Sequence, residues 1–337
     1  IIAEQAAHLT VFQRTATYSV PAHNAPLAPG HQAEVKARYR QVRAANRLAM
    51  AGFGALSTLG PPLHAMAEVD ADERERLLDD RWQHGGLGFV AVFTDTLSNP
   101  EANQVAAEFV RAKIRGIVVD PAVADLLSPT QVVGCKRLCV DSGYYETFNR
   151  PDVRLVDISA GGIEAIAPTG VRANGEDHDV DAIVFATGFD AMTGALARIR
   201  FEGAGGRTLA EAWSEGPKTY LGVAVAGFPN LFLITGPGSP SVLTNMVTSI
   251  EHHVEWIAAC LEHLRAGGHE RIEADAVVTV DGISTWSTGA VANVVASAIN
   301  TIMANSVGEI TLRSSPMFRT INSMSPRVFM SVPRVAD

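Results

Sequence analysis

Two short runs of β-type apolar residues, Ala182–Ala186 and Leu231–Thr235, each stop abruptly at a glycine turn. The first leads into Thr187-Gly188-Phe189-Asp190, the second into Gly236-Pro237-Gly238-Ser239 and then a helix-patterned segment. In an open α/β sheet, ligands sit just beyond the carboxyl ends of the strands. Strands that end in glycine turns, one of them feeding a helix, therefore favour an α/β architecture with a binding crevice at those turns. Both runs are expected to be strands.

The rest of the chain is punctuated in the same way. His8–Arg14 reads as a short strand and Tyr18–Pro29, with its three prolines, as a linker. Gln32–Met50 and Asp72–Gln83 read as helices, the second with Leu77, Leu78 and Trp82 on its apolar face. Asn99-Pro100-Glu101 is a strong helix start: an Asn cap, proline at the first helical position and an acid in the first turn. That helix is expected to run to about Arg115, with Val105, Phe109, Val110 and Ile114 facing a core. After Gly134 the pattern turns to β, with runs at Lys136–Val140, Val153–Ile158, Ile163–Ala167, Gly170–Ala173 and a buried one at Val180–Ala186. Met246–Leu264 is a helix whose apolar stripe is Met246, Ile250, Val254, Ile257, Leu261 and Leu264. His252 and His253 are expected to be partly exposed on it.

Composition narrows the function classes. Apolar residues make up 47% of the 337 positions and charged residues 19%, enough for a sizeable core. A formal net charge of -9 disfavours a general binder of nucleic acid or of anionic membranes, while leaving room for a local basic pocket. Three cysteines without paired spacing argue against a disulfide scaffold and for a reducing, cytoplasmic compartment. No metal site is expected from them, because four ligands are normally needed.

Several residues could carry chemistry. Arg14 and Thr15 end the first strand, where a cation can pair with a ribose 2′-phosphate. Lys136 and Arg137 are adjacent cations at the return to the β region, and on a strand they would point to opposite faces. Ala186-Thr187-Gly188 would let backbone approach a cofactor closely. Ser241, Val242, Leu243 and Thr244 lie just ahead of the long helix, whose start at Met246 offers free amide donors.

The segments VFQRTATYSVPAHNAPL (11–27), GCKRLCVDSGYYETFNRPDVRLVD (134–157) and 181–256 together resemble the C-terminal half of Baeyer–Villiger monooxygenases. The resemblance implies an incomplete flavoprotein of two Rossmann-like dinucleotide-binding domains with a helical insertion. Residues 1–20 and 133–185 would form part of the NADPH-binding domain, 21–132 the helical insertion, and 186–275 the C-terminal part of the FAD-binding domain. Residues 276–337 would be an atypical, partly disordered tail. The implied cofactors are FAD and NADP. The implied reaction inserts one oxygen of O2 next to a ketone carbonyl, through a C4a-peroxyflavin, to give an ester or lactone. By the same resemblance Arg137 is the catalytic arginine; Arg14, Thr15 and Lys136 hold the NADP phosphate; Ala186, Thr187, Gly188, Met246 and Trp286 touch cofactor; and Ser241, Val242, Leu243 and Thr244 line the substrate pocket.

The chain also departs from the family pattern. No glycine-rich dinucleotide fingerprint stands in register; Gly52-Phe53-Gly54 and Gly203–Gly206 are poor matches. Those turns are expected upstream of Ile1, whose IIAEQAAHL reads as a helix end entering a strand, and the chain alone is expected to be inactive. Ala290–Ser325 matches nothing in the family, although Pro326–Met330 does. Two other readings remain open: a related flavin monooxygenase acting on nitrogen or sulfur, and a non-catalytic module that binds NADP or a partner.

Overall fold

A computed structural model describes residues 1–49, 51–52, 54, 60–190, 192–239 and 244–276, with short backbone segments at 280–281 and 330–331. Its helices, in chain order, are α1 (Ile2–Gln5), α2 (His31–Ala37), α3 (Tyr39–Leu48), α4 (Ala71–His84), α5 (Pro100–Ile117), α6 (Pro121–Leu127), α7 (Tyr144–Thr147), α8 (Gly194–Ala197), α9 (Leu209–Ala212) and α10 (Met246–Gly267). The strands are β1 (Leu9–Gln13), β2 (Ser19–Pro21), β3 (Cys139–Asp141), β4 (Val153–Asp157), β5 (Ile163–Ala167), β6 (Gly170–Ala173), β7 (Glu176–Asp179), β8 (Lys218–Thr219), β9 (Glu273–Ala274), β10 (Val280–Asp281) and β11 (Met330–Ser331). The class is α/β, as the sequence leads one to expect.

The chain divides into two compact units: Ile1–Leu27 with Thr58–Gly188, and Ala28–Ser57 with Phe189–Asp337. In the first unit β1 pairs with β4 and β2 with β3, both in parallel. Parallel partners need long crossovers, and α4, α5 and α6 lie in the crossover between β2 and β3. β5, β6 and β7 form an antiparallel meander.

Helix α5 begins as its sequence dictates. The Asn99 side chain accepts from the Glu101 amide, and Pro100 opens the first turn. Val110 and Ile114 are fully buried against Phe89, Phe93 and Leu127 in one cluster, with Val105 and Phe109 partly buried on its margin. In α4, Leu78 and Trp82 are buried in the same cluster and Leu77 packs on its edge.

In the second unit β8 pairs with β10 and β9 with β11, both antiparallel. Its cores are small: Tyr220, Val223, Trp256, Cys260 and Leu264 in one cluster, and Leu209, Val225, Phe228 and Leu233 in another. Helices α2 and α3 belong to this unit. Arg47 of α3 forks onto Glu255 of α10, and Arg43 pairs with Glu251.

Four expectations need correction. Gln32–Met50 is two helices, because Arg38 leaves helical geometry at φ −109°, ψ 14°. Lys136–Val140 is not a strand throughout; pairing starts at Cys139. Val180–Ala186 is not a strand: the Val180 amide donates to the Thr169 carbonyl at 3.0 Å, and 181–186 is exposed and unpaired among the described residues, with Val184 76% and Phe185 66% accessible. Leu231–Thr235 contributes one isolated bridge, Phe232 to Ala224, rather than a strand. The cause is common to the last two. A β-prone run becomes a strand only where a neighbour supplies a continuous ladder: the segment 222–224 offers Leu231–Thr235 only the Phe232–Ala224 bridge and the bond from the Leu233 amide to the Val223 carbonyl, and no described segment pairs with 181–186.

Candidate functional site

Arg14 follows β1, and Lys136 and Arg137 precede β3. β1 ends at Gln13, whose side-chain amide donates to the Leu126 carbonyl at 2.8 Å. Arg14 and Thr15 follow at once, both exposed. The chain then runs beside the segment that enters β3. Gln131 donates to the Ala16 carbonyl at 2.8 Å, the Tyr18 hydroxyl donates to the Gln131 carbonyl at 2.8 Å, and the Cys139 amide donates to the Tyr18 carbonyl at 3.0 Å. Arg111 in turn donates to the Tyr18 hydroxyl at 3.0 Å. Burial raises the Tyr18 pKa against the opposing pull of Arg111.

Asn103 fixes the second segment. Its Nδ2 donates to the carbonyls of Thr96 and Val133, and its Oδ1 accepts from the Val133 amide at 2.9 Å. Gly134 then turns the chain at φ 89°, and a Cβ there would lie 2.6 Å from the Leu97 side chain. Lys136 and Arg137 emerge from this turn, exposed, with Leu138 buried behind them. Because they sit in a turn rather than on a strand, strand alternation does not set the directions of their side chains. Among the described residues, Arg14, Lys136 and Arg137 have no ion pair. Arg14, just past the carboxyl end of β1, and Lys136 and Arg137, just ahead of β3, are cations free to receive an anionic phosphate.

Ala186, Thr187 and Gly188 lie in exposed chain outside any helix or strand, with Gly188 at φ 86° and open space where a Cβ would be. Ser241, Val242, Leu243 and Trp286 lie outside the described residues. Thr244 is buried, and Met246, the first residue of α10, is 42% exposed. Asn245 caps α10 by accepting from the Val247 amide, and its Nδ2 donates to the Gly52 carbonyl.

The turn ahead of α10 is tightly held. Thr219 Oγ1 donates to the Pro237 carbonyl at 2.6 Å and accepts from the Gly222 amide at 3.1 Å. The Gly236 amide donates to the Gly222 carbonyl at 3.1 Å. A Cβ on Gly222 would lie 2.2 Å from Ser239 Cβ, so only glycine allows this approach. The Thr235 amide donates to His253 Nδ1 at 2.9 Å.

That last contact overturns two readings of α10. His252 and His253 are buried, at 6% and 0% exposure, not partly exposed. Of the expected stripe, Met246, Ile250, Val254 and Leu261 are exposed, Ile257 packs on the margin of the core cluster and Leu264 is buried, and Ser249, His253, Trp256 and Cys260 complete the buried face. Burial holds the His253 pKa down at about 4, with His252 adding to the effect, and pushes the Cys260 thiol up to about 12. The sequence did contain the signal for His253: it stands three and seven residues before Trp256 and Cys260, on one helical face. Among the described residues no group of three His, Cys, Asp or Glu could hold a metal. No helix there is long and apolar enough to cross a membrane.

No family model matches the chain. It is 39% identical over 285 residues to a Baeyer–Villiger monooxygenase of Pseudooceanicola batsensis, a match covering 83% of this chain and 50% of that protein. The structure is similar to an oxidized steroid monooxygenase bound to NADP, with a TM-score of 0.80 and 41% identity, over 92% of this chain and 62% of that one. It is also similar to OTEMO in complex with FAD and NADP, with a TM-score of 0.78 and 32% identity, over 87% of this chain and 54% of that one. The chain thus spans about half the length of the curated relative it matches. Over that half, sequence and fold agree, and the chain belongs to the Baeyer–Villiger monooxygenase family.

Proposed function

We propose that the protein works as an NADPH- and FAD-dependent Baeyer–Villiger monooxygenase, converting a ketone and O2 into an ester or lactone. The observation that carries the reading is the trio Arg14, Lys136 and Arg137, exposed and without an ion pair among the described residues, in a chain 39% identical to a named member of the family. When bound, the nicotinamide supplies reducing equivalents and the flavin activates oxygen. The residues of this chain bind, orient and place charge.

Arg14 and Lys136 hold the 2′-phosphate of NADP, with Thr15 beside them. The planar guanidinium of Arg14 suits paired hydrogen bonds to phosphate oxygens. Arg137 stays protonated and holds a fixed positive charge near the reacting oxygen and carbonyl. A guanidinium there would favour negative charge at the carbonyl oxygen without releasing a proton to it. Ala186, Thr187 and Gly188 approach the cofactor through backbone, and Met246 and Trp286 contact it. Ser241, Val242, Leu243 and Thr244 line the ketone pocket, where loop residues select substrate. Exposed free Cys135 and Cys139 fit a reducing cytoplasm.

Titration of the chain with NADP+ and NAD+ tests the binding half of this reading. NADP+ should bind more tightly, and Arg14→Ala should weaken it by about tenfold while leaving NAD+ unchanged, as expected for one charge-assisted phosphate contact. Equal affinities for the two nucleotides would overturn it. In active enzyme carrying these residues, Arg137→Ala should lower ketone oxidation by about 10²–10³-fold. Sulfide oxidation surviving at full rate while ketone oxidation is unaffected would remove Arg137 from the mechanism.

A further inference from the structure

We infer that His253 is the positioning residue of the Thr235–Ser239 turn, holding it through the lone pair of Nδ1. Its relevance to catalysis rests on reading the following loop as the ketone pocket, but the clamp itself does not.

The geometry is specific. Thr235 is not glycine yet stands at φ 53°, in the left-handed region. That conformation is disfavoured for a non-glycine residue, because Cβ crowds the following carbonyl oxygen, so something must hold it. The Thr235 amide donates to His253 Nδ1 at 2.9 Å, across eighteen positions of chain. An acceptor at Nδ1 requires the ring proton to be on Nε2. Nε2 is buried and has no hydrogen-bond partner among the described residues, so within them the ring makes its hydrogen bond to this turn. A fully buried side chain that leaves one N–H unpaired is a poor choice for packing; a leucine would fill the space without that penalty. What leucine cannot do is accept from Thr235.

The ring is also built to stay unprotonated. Burial is the main cause, and His252 adds to it. Arg47 on α3 disfavours charge on His252, while Glu251 and Glu255 favour it. No carboxylate contributes to His253 directly. Protonation of Nδ1 would replace the acceptor by a second donor facing the Thr235 N–H, and the turn would be released.

The test uses the full chain without cofactor, so it stands or falls independently of NADP binding and ketone oxidation. Nitrogen NMR of the labelled imidazole at neutral pH should show protonated Nε2 and bare Nδ1 for His253. Peptide-resolved hydrogen exchange should show His253→Leu speeding exchange of residues 231–239 by about tenfold over residues 256–264 of α10. His253→Asn, which keeps an acceptor at the Nδ1 position, should restore most of the protection. In wild type that protection should fall as pH drops through about 4, and in His253→Asn it should not. A proton on Nδ1 at neutral pH would overturn the inference. So would equal acceleration of both segments in His253→Leu, or no rescue by asparagine. Should both variants fail to fold, the wild-type tautomer and its pH dependence still decide.

Discussion

Asn103 decides where the turn carrying Lys136 and Arg137 lies. Its amide satisfies three backbone groups at once, on Thr96 and Val133, in a buried setting. Asn103→Leu keeps the volume and leaves those groups unpaired. Urea unfolding should show a loss of about 2–4 kcal/mol, the cost of several orphaned buried groups. NADP+ affinity should fall with it, because Lys136 and Arg137 hang from the same turn. At His253 the sign of the pH effect follows from its depressed pKa. The unfolded chain takes up a proton near pH 6.5 that the folded chain refuses until about pH 4. Stability is therefore full above pH 6.5 and falls as pH drops toward 4, by about 3 kcal/mol in total. Unfolding measured across that window should show the slope in wild type and lose it in His253→Asn.

At the scale of elements, α10 is the instructive case. Its span was legible, because Asn245 caps it and Gly268 ends it at φ 62°. Its orientation was not. Apolar residues occupy two faces, and hydrophobic periodicity alone chose a stripe whose Ile250, Val254 and Leu261 are exposed, although its Leu264 is buried. The buried face carries Ser249, His253 and Trp256, and a pattern that counts apolar letters passes over it. Trp256→Ala should cost about 3–5 kcal/mol in thermal or urea unfolding. Val254→Ser should change stability by no more than about 0.5 kcal/mol. The reverse order would show that α10 buries the other face. The Arg47–Glu255 fork on the same helix is half-exposed, so Arg47→Ala should cost under about 1 kcal/mol.

For the whole molecule, nucleotide binding should appear as stability. A ligand at one hundred times its dissociation constant adds about 2.7 kcal/mol to the form that binds it. NADP+ should therefore raise the melting temperature in a concentration-dependent way, with NAD+ far weaker at equal concentration. Added salt should shrink the difference, since the proposed contacts are exposed cations on phosphate.

The sequence by itself determined what is local. Asn99-Pro100-Glu101 sets the start of α5, the meander β5–β6–β7 opens with the two strands expected at Ile163–Ala167 and Gly170–Ala173, and Arg14 stands at the end of β1, because caps, turns and alternation act within a few residues. Only the tertiary structure decided which face of α10 meets the core, that Lys136 and Arg137 leave a turn rather than a strand, and that Ala182–Ala186 stays unpaired. Each of those outcomes depends on a partner far away in the chain. A hydrogen-bond ladder or a buried face is a property of two segments, and neither one alone encodes it.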